Sequence, residues 1–360
     1  MRKTDDSTGA TSRGMYTGRP TQPDSNARIQ AAICRIAKAY ESDPHPWVVG
    51  YSGGKDSTAV LTLVFQALRR MTIHHKPLTV IHCNTGVDIP CASRLARRAL
   101  RSFGHHCREA GLPVEAVTVR PRLSESFFVK ILGRGYPPPT DKFRWCTDRL
   151  AINPVAAYLK KRGFDRATLL LGVRKQESAA RSLTLKENGS ADPFWTRQRG
   201  HASRRLFMPI VDFSADDVWD ANLHASAPPS LEAPALSDLY ADASECPSRR
   251  RPNGAPCGKA RFGCWTCTVA KHAVTLRNLL NSGHLELEPL LEFRLWIEAE
   301  RNRLSNRWRR RRNGQPGPGP MTKRWRRKAL QRLLAAEQMS GFRLIRGREV
   351  NTILTMWREK

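Results

Sequence analysis

Apolar residues along the chain follow two rhythms. Nearly continuous runs, Trp47-Val48-Val49-Gly50, Leu78-Thr79-Val80-Ile81-His82 and residues 167–173, suit strands buried on both faces of a sheet, and Val114–Val119 reads as a third strand in chain order. Between them apolar side chains recur at helical spacing: Ile29, Ile33, Ile36, Ala37 and Tyr40, then Val60, Leu61, Leu63, Val64 and Leu68 within a helix over 57–70. Segments 90–110 and 148–162 continue the alternation, and 126–132 reads as a short amphipathic helix. Strand and helix in turn predict an α/β fold with a doubly wound, mostly parallel sheet. Further on, 207–211 reads as another strand, and Ser214 as an N-cap for a helix bearing Val218, Trp219 and Leu223, with Asp217 three residues on. The polar stretch 183–205 reads as a mobile loop, and periodicity is lost over 227–263. Helices are predicted from about 272 to 304, over 321–338 and over 347–358, with a candidate strand at 342–345.

These rhythms divide the chain into a disordered tail (1–27), an α/β domain (28–226), a cysteine-rich loop region (227–271) and a basic, mainly helical C-terminal module (272–360). The 61 Lys and Arg against 32 Asp and Glu, a net charge of +29, favour a polyanionic partner. No apolar run approaches about 18 residues, so no membrane helix and no membrane partner are expected. The N-terminal Met1-Arg2-Lys3-Thr4-Asp5-Asp6 lacks the apolar core of a signal peptide, which predicts a cytoplasmic protein. Nine cysteines in that compartment point to metal, cluster or redox chemistry before disulfides.

The first strand runs into Tyr51-Ser52-Gly53-Gly54-Lys55-Asp56-Ser57-Thr58 and then into a helix. Backbone N–H groups freed by the glycines, together with the positive helix end, cradle a phosphate or pyrophosphate. Lys55 adds a point charge, and Ser52, Ser57 and Thr58 add hydroxyls. Lys55 is followed by Asp56 rather than by Ser or Thr, so the loop is not a Walker A motif. The second strand ends in Cys83-Asn84-Thr85-Gly86, on the crevice side of such a sheet, which makes Asn84, Thr85 and Asp88 candidate nucleotide contacts. The strand at 167–173 ends in Gly172-Val173-Arg174, placing Arg174 near the phosphates as a guanidinium fork, and Glu177 beyond it is a candidate partner for an arginine or Mg²⁺.

Cys257, Cys264 and Cys267 form a C-x6-C-x2-C arrangement, whose soft thiolates suit iron or zinc. A fourth ligand comes from Cys146 or Cys246. Cys146, in Arg144-Trp145-Cys146-Thr147-Asp148-Arg149 at a helix start, is favoured, because that setting promotes the thiolate. A zinc ribbon of Cys246, Cys257, Cys264 and Cys267 is the alternative. Cys34, Cys83 and Cys91 fall in apolar surroundings and read as core residues. His105, His106 and Cys107 read as a solvated helix end.

Ser52-Gly53-Gly54-Lys55-Asp56-Ser57 resembles the PP-loop of the ATP pyrophosphatase superfamily, with its adenine nucleotide alpha hydrolase-like fold. Arg144-Trp145-Cys146-Thr147-Asp148, Gly172-Val173-Arg174-x-x-Glu177-Ser178, Pro209-Ile210 ahead of Val218-Trp219, and Arg261-Phe262-Gly263-Cys264-Trp265-Thr266-Cys267 follow in order. As an ordered set over about residues 45–355 they resemble the DndC-type proteins of DNA phosphorothioation, or the closely similar SspD-type. The resemblance implies ATP as substrate, with Ser52, Gly53, Gly54, Lys55, Asp56, Ser57, Asn84, Thr85, Gly172 and Arg174 around it and Lys55, Asp56 and Arg174 catalytic. It also implies Mg²⁺, a [4Fe-4S] cluster on Cys146, Cys257, Cys264 and Cys267, and replacement of a non-bridging DNA phosphate oxygen by sulfur. A cysteine desulfurase and other DNA-sulfur-modification proteins would be the partners.

The C-terminal part carries Arg309, Arg310, Arg311 and Arg312 before a Gly-Pro break, and Lys323, Arg324, Arg326 and Arg327 after it. Arginines neutralise phosphates, while Trp308 and Trp325 within the two runs suit stacking on bases, so these eight are the candidate DNA contacts. Three other readings compete: a cluster-bearing tRNA thiolase, a PAPS or APS reductase, and a non-catalytic zinc-ribbon nucleic-acid binder. The reductases resembled use a cysteine near the C-terminus, whereas here no cysteine follows Cys267.

Overall fold

The computed structural model describes residues 23–175, 192–198, 201–245, 262–270 and 272–359. Six strands form one sheet in the order β3-β2-β1-β4-β6-β5. These are β1 (Trp47–Gly50), β2 (Leu78–Cys83), β3 (Val114–Val119), β4 (Thr168–Leu170), β5 (Trp195–Gln198) and β6 (His201–Phe207). All neighbours are parallel except β5 and β6, which pair antiparallel with an irregularity at Arg197/Gln198. The sheet is therefore α/β and mostly parallel, as the alternation of strand and helix predicts.

Helices α1 (Pro23–Ser42), α2 (Lys55–Arg70), α3 (Pro90–Glu109), α4 (Trp145–Thr147), α5 (Asn153–Lys161) and α6 (Ala215–Leu223) accompany the strands. Helix α1 begins within the predicted tail, with Asp24 in its first turn beside the positive helix end. Ser214 caps α6 in a full capping box with Asp217, which also receives two hydrogen bonds from Arg28 of α1, each 3.0 Å. Cys34, read as a core residue, is exposed on α1. The loop predicted over 183–205 is in part the β5–β6 hairpin, and the strand predicted at 207–211 ends at Phe207. Tight turns follow instead: Val211 N–H donates to the Met208 carbonyl, and Phe213 N–H to that of Ile210.

Helices α7 (Ala233–Asp242), α8 (Val274–Asn281), α9 (Glu288–Glu300), α10 (Lys323–Ser340) and α11 (Gly347–Arg358) complete the chain. The aperiodic stretch 227–263 thus contains α7, which opens on Ala233 and Pro234 after Glu232 at φ +52°. Proline fits a helix's first turn because its missing N–H has no partner there anyway. Residues 342–345 are not a strand. Gly341 ends α10 in the left-handed region, and the Glu337 carboxylate accepts from Leu344 N–H (2.7 Å) and Ile345 N–H (2.9 Å), turning the chain back. One apolar cluster unites Val87, Phe128, Trp145 and Trp265 with Phe293, Leu333 and Ile353, so the C-terminal helices share a core with the loops around the sheet.

Asp43, between α1 and β1, fixes where the first strand enters the sheet. Its buried carboxylate accepts from Trp47 Nε1 (2.9 Å), Thr168 Oγ1 (2.5 Å) and the His45 main chain (3.2 Å). Burial alone pushes its pKa up, but the hydrogen bonds from Thr168, His45 and Trp47 outweigh that and hold it below the ordinary carboxylate value. The resulting stability is present above the unfolded pKa of about 4 and is lost as pH falls through the lower folded value. Asp43→Asn should cost about 1–3 kcal/mol at pH 7 and less at pH 3, measured by urea denaturation. A cost that stays constant or grows on acidification contradicts this.

Candidate active site

The glycine-rich loop lies where β1 gives way to α2. Gly53 has φ +82°, and a Cβ on it would sit 2.3 Å from Ala96 Cβ of α3, so a side chain is excluded by conformation and by space. Ser52 and Ser57 hold the loop together: their hydroxyl oxygens are 3.0 Å apart, Ser57 Oγ donates to the Gly54 carbonyl (2.9 Å), and Gly54 N–H donates to Ser52 Oγ (3.3 Å). Thr58 Oγ1 donates to the same carbonyl at 3.0 Å.

Arg174 and Gly172 approach this loop from the end of β4. A Cβ on Gly172 would lie 2.8 Å from the Asp56 carbonyl carbon and oxygen and 2.9 Å from Ser57 N, so the chain leaving β4 rests directly on the first turn of α2. Buried Arg174 then donates through Nε to the Asp56 carboxylate. The structure thus brings together Asp56, Ser57, Gly172 and Arg174, residues separated by more than a hundred positions in sequence. In this pairing Asp56 binds the guanidinium that the sequence assigns to phosphate.

Two further residues reach the loop from the α7 segment. Tyr240 Oη accepts from Lys55 N–H at 3.2 Å, and its ring faces Lys55 Nζ at 4.7 Å. Glu245 pairs with Lys55 Nζ at 2.5 Å, both side chains being buried. Burial pushes the Tyr240 phenol well above its ordinary value, so it stays neutral. A phosphate entering the loop must compete with Glu245 for the ammonium. Sequence reading missed both residues, since a tyrosine in a helix and a glutamate ahead of a cysteine carry no motif.

Beside the loop, a cavity of about 500 Å³ lies against the sheet. Val48, Leu169 and Leu206 of the strands and Val155 and Leu159 of α5 line it, with Tyr51, Ser52, His82, Thr85, Asp88 and Arg204 as its polar members. Mostly apolar walls with a few polar groups suit a nucleoside. Of the residues assigned to the nucleotide, Ser52 and Thr85 line this cavity, whereas Gly54, Lys55, Asp56, Gly172 and Arg174 surround the helix end next to it. Asn84 does not line it; its side chain accepts from Gly86 N–H at 3.0 Å and shapes the following turn.

Three further polar groups face the cavity: Asp88, a candidate contact from the sequence, and His82 and Arg204, which sequence reading missed because a strand position alone marks neither. Burial holds the His82 imidazole below its ordinary value and neutral. Its Nδ1 lies 3.0 Å from the Tyr51 carbonyl, which can only accept, so Nδ1 carries the proton and the buried Nε2 is an acceptor without a partner. Burial pushes the Asp88 carboxyl up, partly offset by hydrogen bonds from the Thr85 hydroxyl (2.8 Å) and N–H (3.1 Å). Arg204 is only 5 % exposed, and its Nε has no hydrogen-bond partner.

The cysteine loop docks on the same rim. Asp88 and Cys264 form an antiparallel bridge, Ile89 N–H donates to the Gly263 carbonyl (3.3 Å), and Trp265 N–H donates to the Val87 carbonyl (2.9 Å). Arg294, fully buried, holds the loop's far end by donating to the carbonyls of Cys267 (2.8 Å) and Ala270 (2.6 Å). Burial is the main force raising the Cys264 thiol, and Asp88, Cys267 and Cys146 add to it; Cys146 is raised by burial and by Cys267. Three of the four sequence-assigned cluster ligands thus lie within electrostatic reach of one another, although Cys146 comes from α4. The fourth, Cys257, lies outside the described residues, as do Cys246, Glu177 and Ser178. Among the described residues no three His, Cys, Asp or Glu side chains are arranged to hold a single metal ion.

The sequence-assigned DNA contacts divide. Arg309, Arg310, Arg311 and Arg312 are exposed on a strap pinned by Trp308 N–H to the Pro320 carbonyl (2.9 Å), and Arg324 and Arg327 are exposed on α10. Lys323 Nζ donates to the Trp357 carbonyl at 2.7 Å. Arg326 is buried and donates to the Gly133 carbonyl at 2.5 Å, so it braces the fold and is withdrawn from the set. Trp325 is also withdrawn: it is buried and stacked on Trp296 at 5.5 Å, while Trp308 is exposed.

Comparison with known proteins places this site in a family. Residues 46–270 match the phosphoadenosine phosphosulfate reductase domain, and the chain belongs to that family, within the superfamily of PP-loop ATP pyrophosphatases. An uncharacterized protein of Methanocaldococcus jannaschii is 25% identical over 202 residues, covering 55% of this chain and 35% of the relative. A second uncharacterized protein of that archaeon is 23% identical over 250 residues, covering 69% and 46%. The chain thus spans less than half the length of either relative. Among solved structures, phosphoadenylyl-sulfate reductase from Candida auris aligns over 59% of this chain and 90% of its own, with 12% identity and a TM-score of 0.37. The U34-tRNA thiolase from Methanococcus maripaludis, with its [4Fe-4S] cluster, aligns over 78% and 80%, with 14% identity and a TM-score of 0.33. No helix among the described residues is long and apolar enough to cross a membrane.

Filling the space at Gly172 should displace the first turn of α2. Overpacking of this kind costs about 1–3 kcal/mol, and each 1.4 kcal/mol is tenfold in affinity. Gly172→Ala is expected to weaken ATP binding by about tenfold or more in calorimetric titration. Gly347→Ala, where an added Cβ meets nothing within 4 Å, is expected to change nothing. Equal ATP affinity in the two variants contradicts the contact's role.

Proposed function

We propose that this protein is an ATP pyrophosphatase that activates a DNA backbone phosphate for replacement of a non-bridging oxygen by sulfur, as a DndC-type or SspD-type enzyme does. The observation that carries the reading is the juxtaposition at one sheet edge of an apolar, nucleoside-sized cavity, the loop Ser52–Ser57 on a helix N-terminus, and a rim bearing Cys146, Cys264 and Cys267.

Adenosine occupies the cavity, and the triphosphate extends over the loop amides. A DNA phosphate oxygen attacks the α-phosphorus; that P–O bond forms as the bond to the β-phosphate oxygen breaks, and pyrophosphate leaves. Lys55, once released from Glu245, and Arg174, oriented by Asp56, offset the charge that develops. Sulfide, freed by thiols from the persulfide of a cysteine desulfurase, then attacks the DNA phosphorus. AMP departs with the original oxygen, a P–S bond replaces a P–O bond, and no net redox change occurs in this step. Mg²⁺ carried in on the triphosphate would supply further charge neutralisation. A [4Fe-4S] cluster would be held by Cys146, Cys257, Cys264 and Cys267 and would supply electron transfer or a rigid tie across the rim. Four thiolates leave its irons no vacant position, which favours those roles over sulfur carriage.

The reading predicts that DNA from cells carrying the gene contains sulfur and that Lys55→Ala removes it, with AMP formation falling by about 10²–10³-fold. Mass spectrometry of nuclease digests of DNA and of tRNA checks this. Sulfur that depends on Lys55 in tRNA but not in DNA overturns the substrate. Protein purified without oxygen is expected to hold about four irons per chain, reduced in Cys146→Ser. Zinc at about one per chain, unchanged by that substitution, overturns the ligand set.

A further inference from the structure

A second cavity, of about 380 Å³, opens beside the first and shares Thr85 and Asp88 with it. Its walls come from the turn after β2, the start of α3, the residues after β3 and the turn between α10 and α11. Five arginines line it: Arg94, Arg97, Arg120, Arg343 and Arg346. Two carboxylates face them. Glu349 is engaged by the Arg346 N–H (3.0 Å) and Nε (2.9 Å), and Asp88 by Thr85. The cavity therefore carries a large uncompensated positive charge.

That charge is concentrated by the fold rather than by the sequence. The five residues lie on three separate segments, and none falls in the basic runs around Arg309–Arg312 or Lys323–Arg327. The Arg120 guanidinium is held below its ordinary value by burial, then by repulsion from Arg346 and Arg97, with Glu349 offsetting only part. Arg120 and Arg343 have no hydrogen-bond or ion-pair partner among the described residues. Arg94 lies over the Phe342 ring at 5.5 Å, so an aromatic face accompanies the cations. Grouped guanidinium forks without acceptors recognise the oxygens of a phosphate.

We propose that this arginine-lined cavity is the acceptor site, binding a phosphodiester of the nucleic-acid strand next to the nucleotide pocket. This rests on the proposed function and adds to it the place where the strand enters. At about 380 Å³ the cavity sits near the lower end of ligand pockets, so it accepts roughly one nucleotide unit rather than a duplex. The shared rim at Thr85 and Asp88 puts a bound phosphodiester at the mouth of the cavity that takes ATP. A phosphate of a small nucleotide has the same chemistry and is the competing occupant.

The test uses the full chain, a fluorescein-labelled single-stranded DNA oligonucleotide and adenosine 3′,5′-bisphosphate as separate probes. Arg120→Gln/Arg343→Gln is compared with wild type by fluorescence anisotropy across a sodium chloride series, and ATP binding is followed by calorimetry. The double variant should bind the oligonucleotide about tenfold or more weakly, and the slope of log affinity against log salt should fall by about 1.4 for two lost single-strand contacts. ATP affinity and thermal midpoint should stay as in wild type, and Arg120→Lys should recover part of the oligonucleotide affinity.

Unchanged oligonucleotide affinity and slope overturn the proposal. So does loss of adenosine bisphosphate binding with oligonucleotide binding retained, which assigns the cavity to a small nucleotide. A wild-type protein that binds ATP but no oligonucleotide removes the acceptor site and the DNA substrate together, leaving the ATP site standing. Oligonucleotide binding that depends on these arginines, in a protein that binds no ATP, keeps the acceptor site and removes the pyrophosphatase reading.

Discussion

The contact between Gly172 and the main chain of Asp56 and Ser57 sets the geometry on which the rest of this site depends. Because nothing larger than hydrogen fits at Gly172, the chain leaving β4 lies against the first turn of α2, and the Arg174–Asp56 pair fixes it there. The helix end, where N–H groups lack intrahelical acceptors, is thereby held at the edge of the sheet where the parallel strands β1, β2 and β4 end. An anion site at a helix terminus is common. What distinguishes this one is that its lysine is already engaged by Glu245 and one of its amides by Tyr240.

That engagement links two regions that are distant in sequence. Tyr240 and Glu245 belong to the first part of the cysteine-rich region, ahead of its cysteines, and the Tyr240 ring meets Phe262 edge-on at 4.9 Å. Phe262 also lines the apolar cavity beside the loop, two residues before Cys264. The glycine-rich loop and the cysteine rim are therefore joined through one cation–π contact, one edge-to-face aromatic contact and one buried ion pair. Any ligand that competed for Lys55 would release Glu245, the residue just ahead of Cys246.

Much of this was legible in the sequence because it is local. The strands at 47–50 and 78–83 stand out as apolar runs and 114–119 as a valine-rich segment, and Ser52-Gly53-Gly54-Lys55-Asp56-Ser57 announces itself between a strand and a helix. The capping pair Ser214 and Asp217 is a short-range signal of the same kind. What sequence reading missed depends on long-range placement. Arg326 and Trp325 sit in a basic run that looks solvent-facing, yet the packing of α10 on α9 and on the turn at 132–133 buries both. Helix α7 was hidden by prolines that serve as helix starters. The arginine cavity could not be read at all, since its members are far apart in sequence and only the return of the chain at Glu337 brings Arg343 and Arg346 over α3.

The central claim is that the Ser52–Ser57 loop and its neighbouring cavity hold ATP for cleavage between the α- and β-phosphates. Its most direct test is product analysis with ATP labelled separately at the α- and γ-phosphates, in the presence of Mg²⁺ and DNA. The account predicts AMP and pyrophosphate in equal amounts, with the α-label in AMP and the γ-label in pyrophosphate. Formation of ADP and inorganic phosphate, with the α-label retained in ADP, would contradict it.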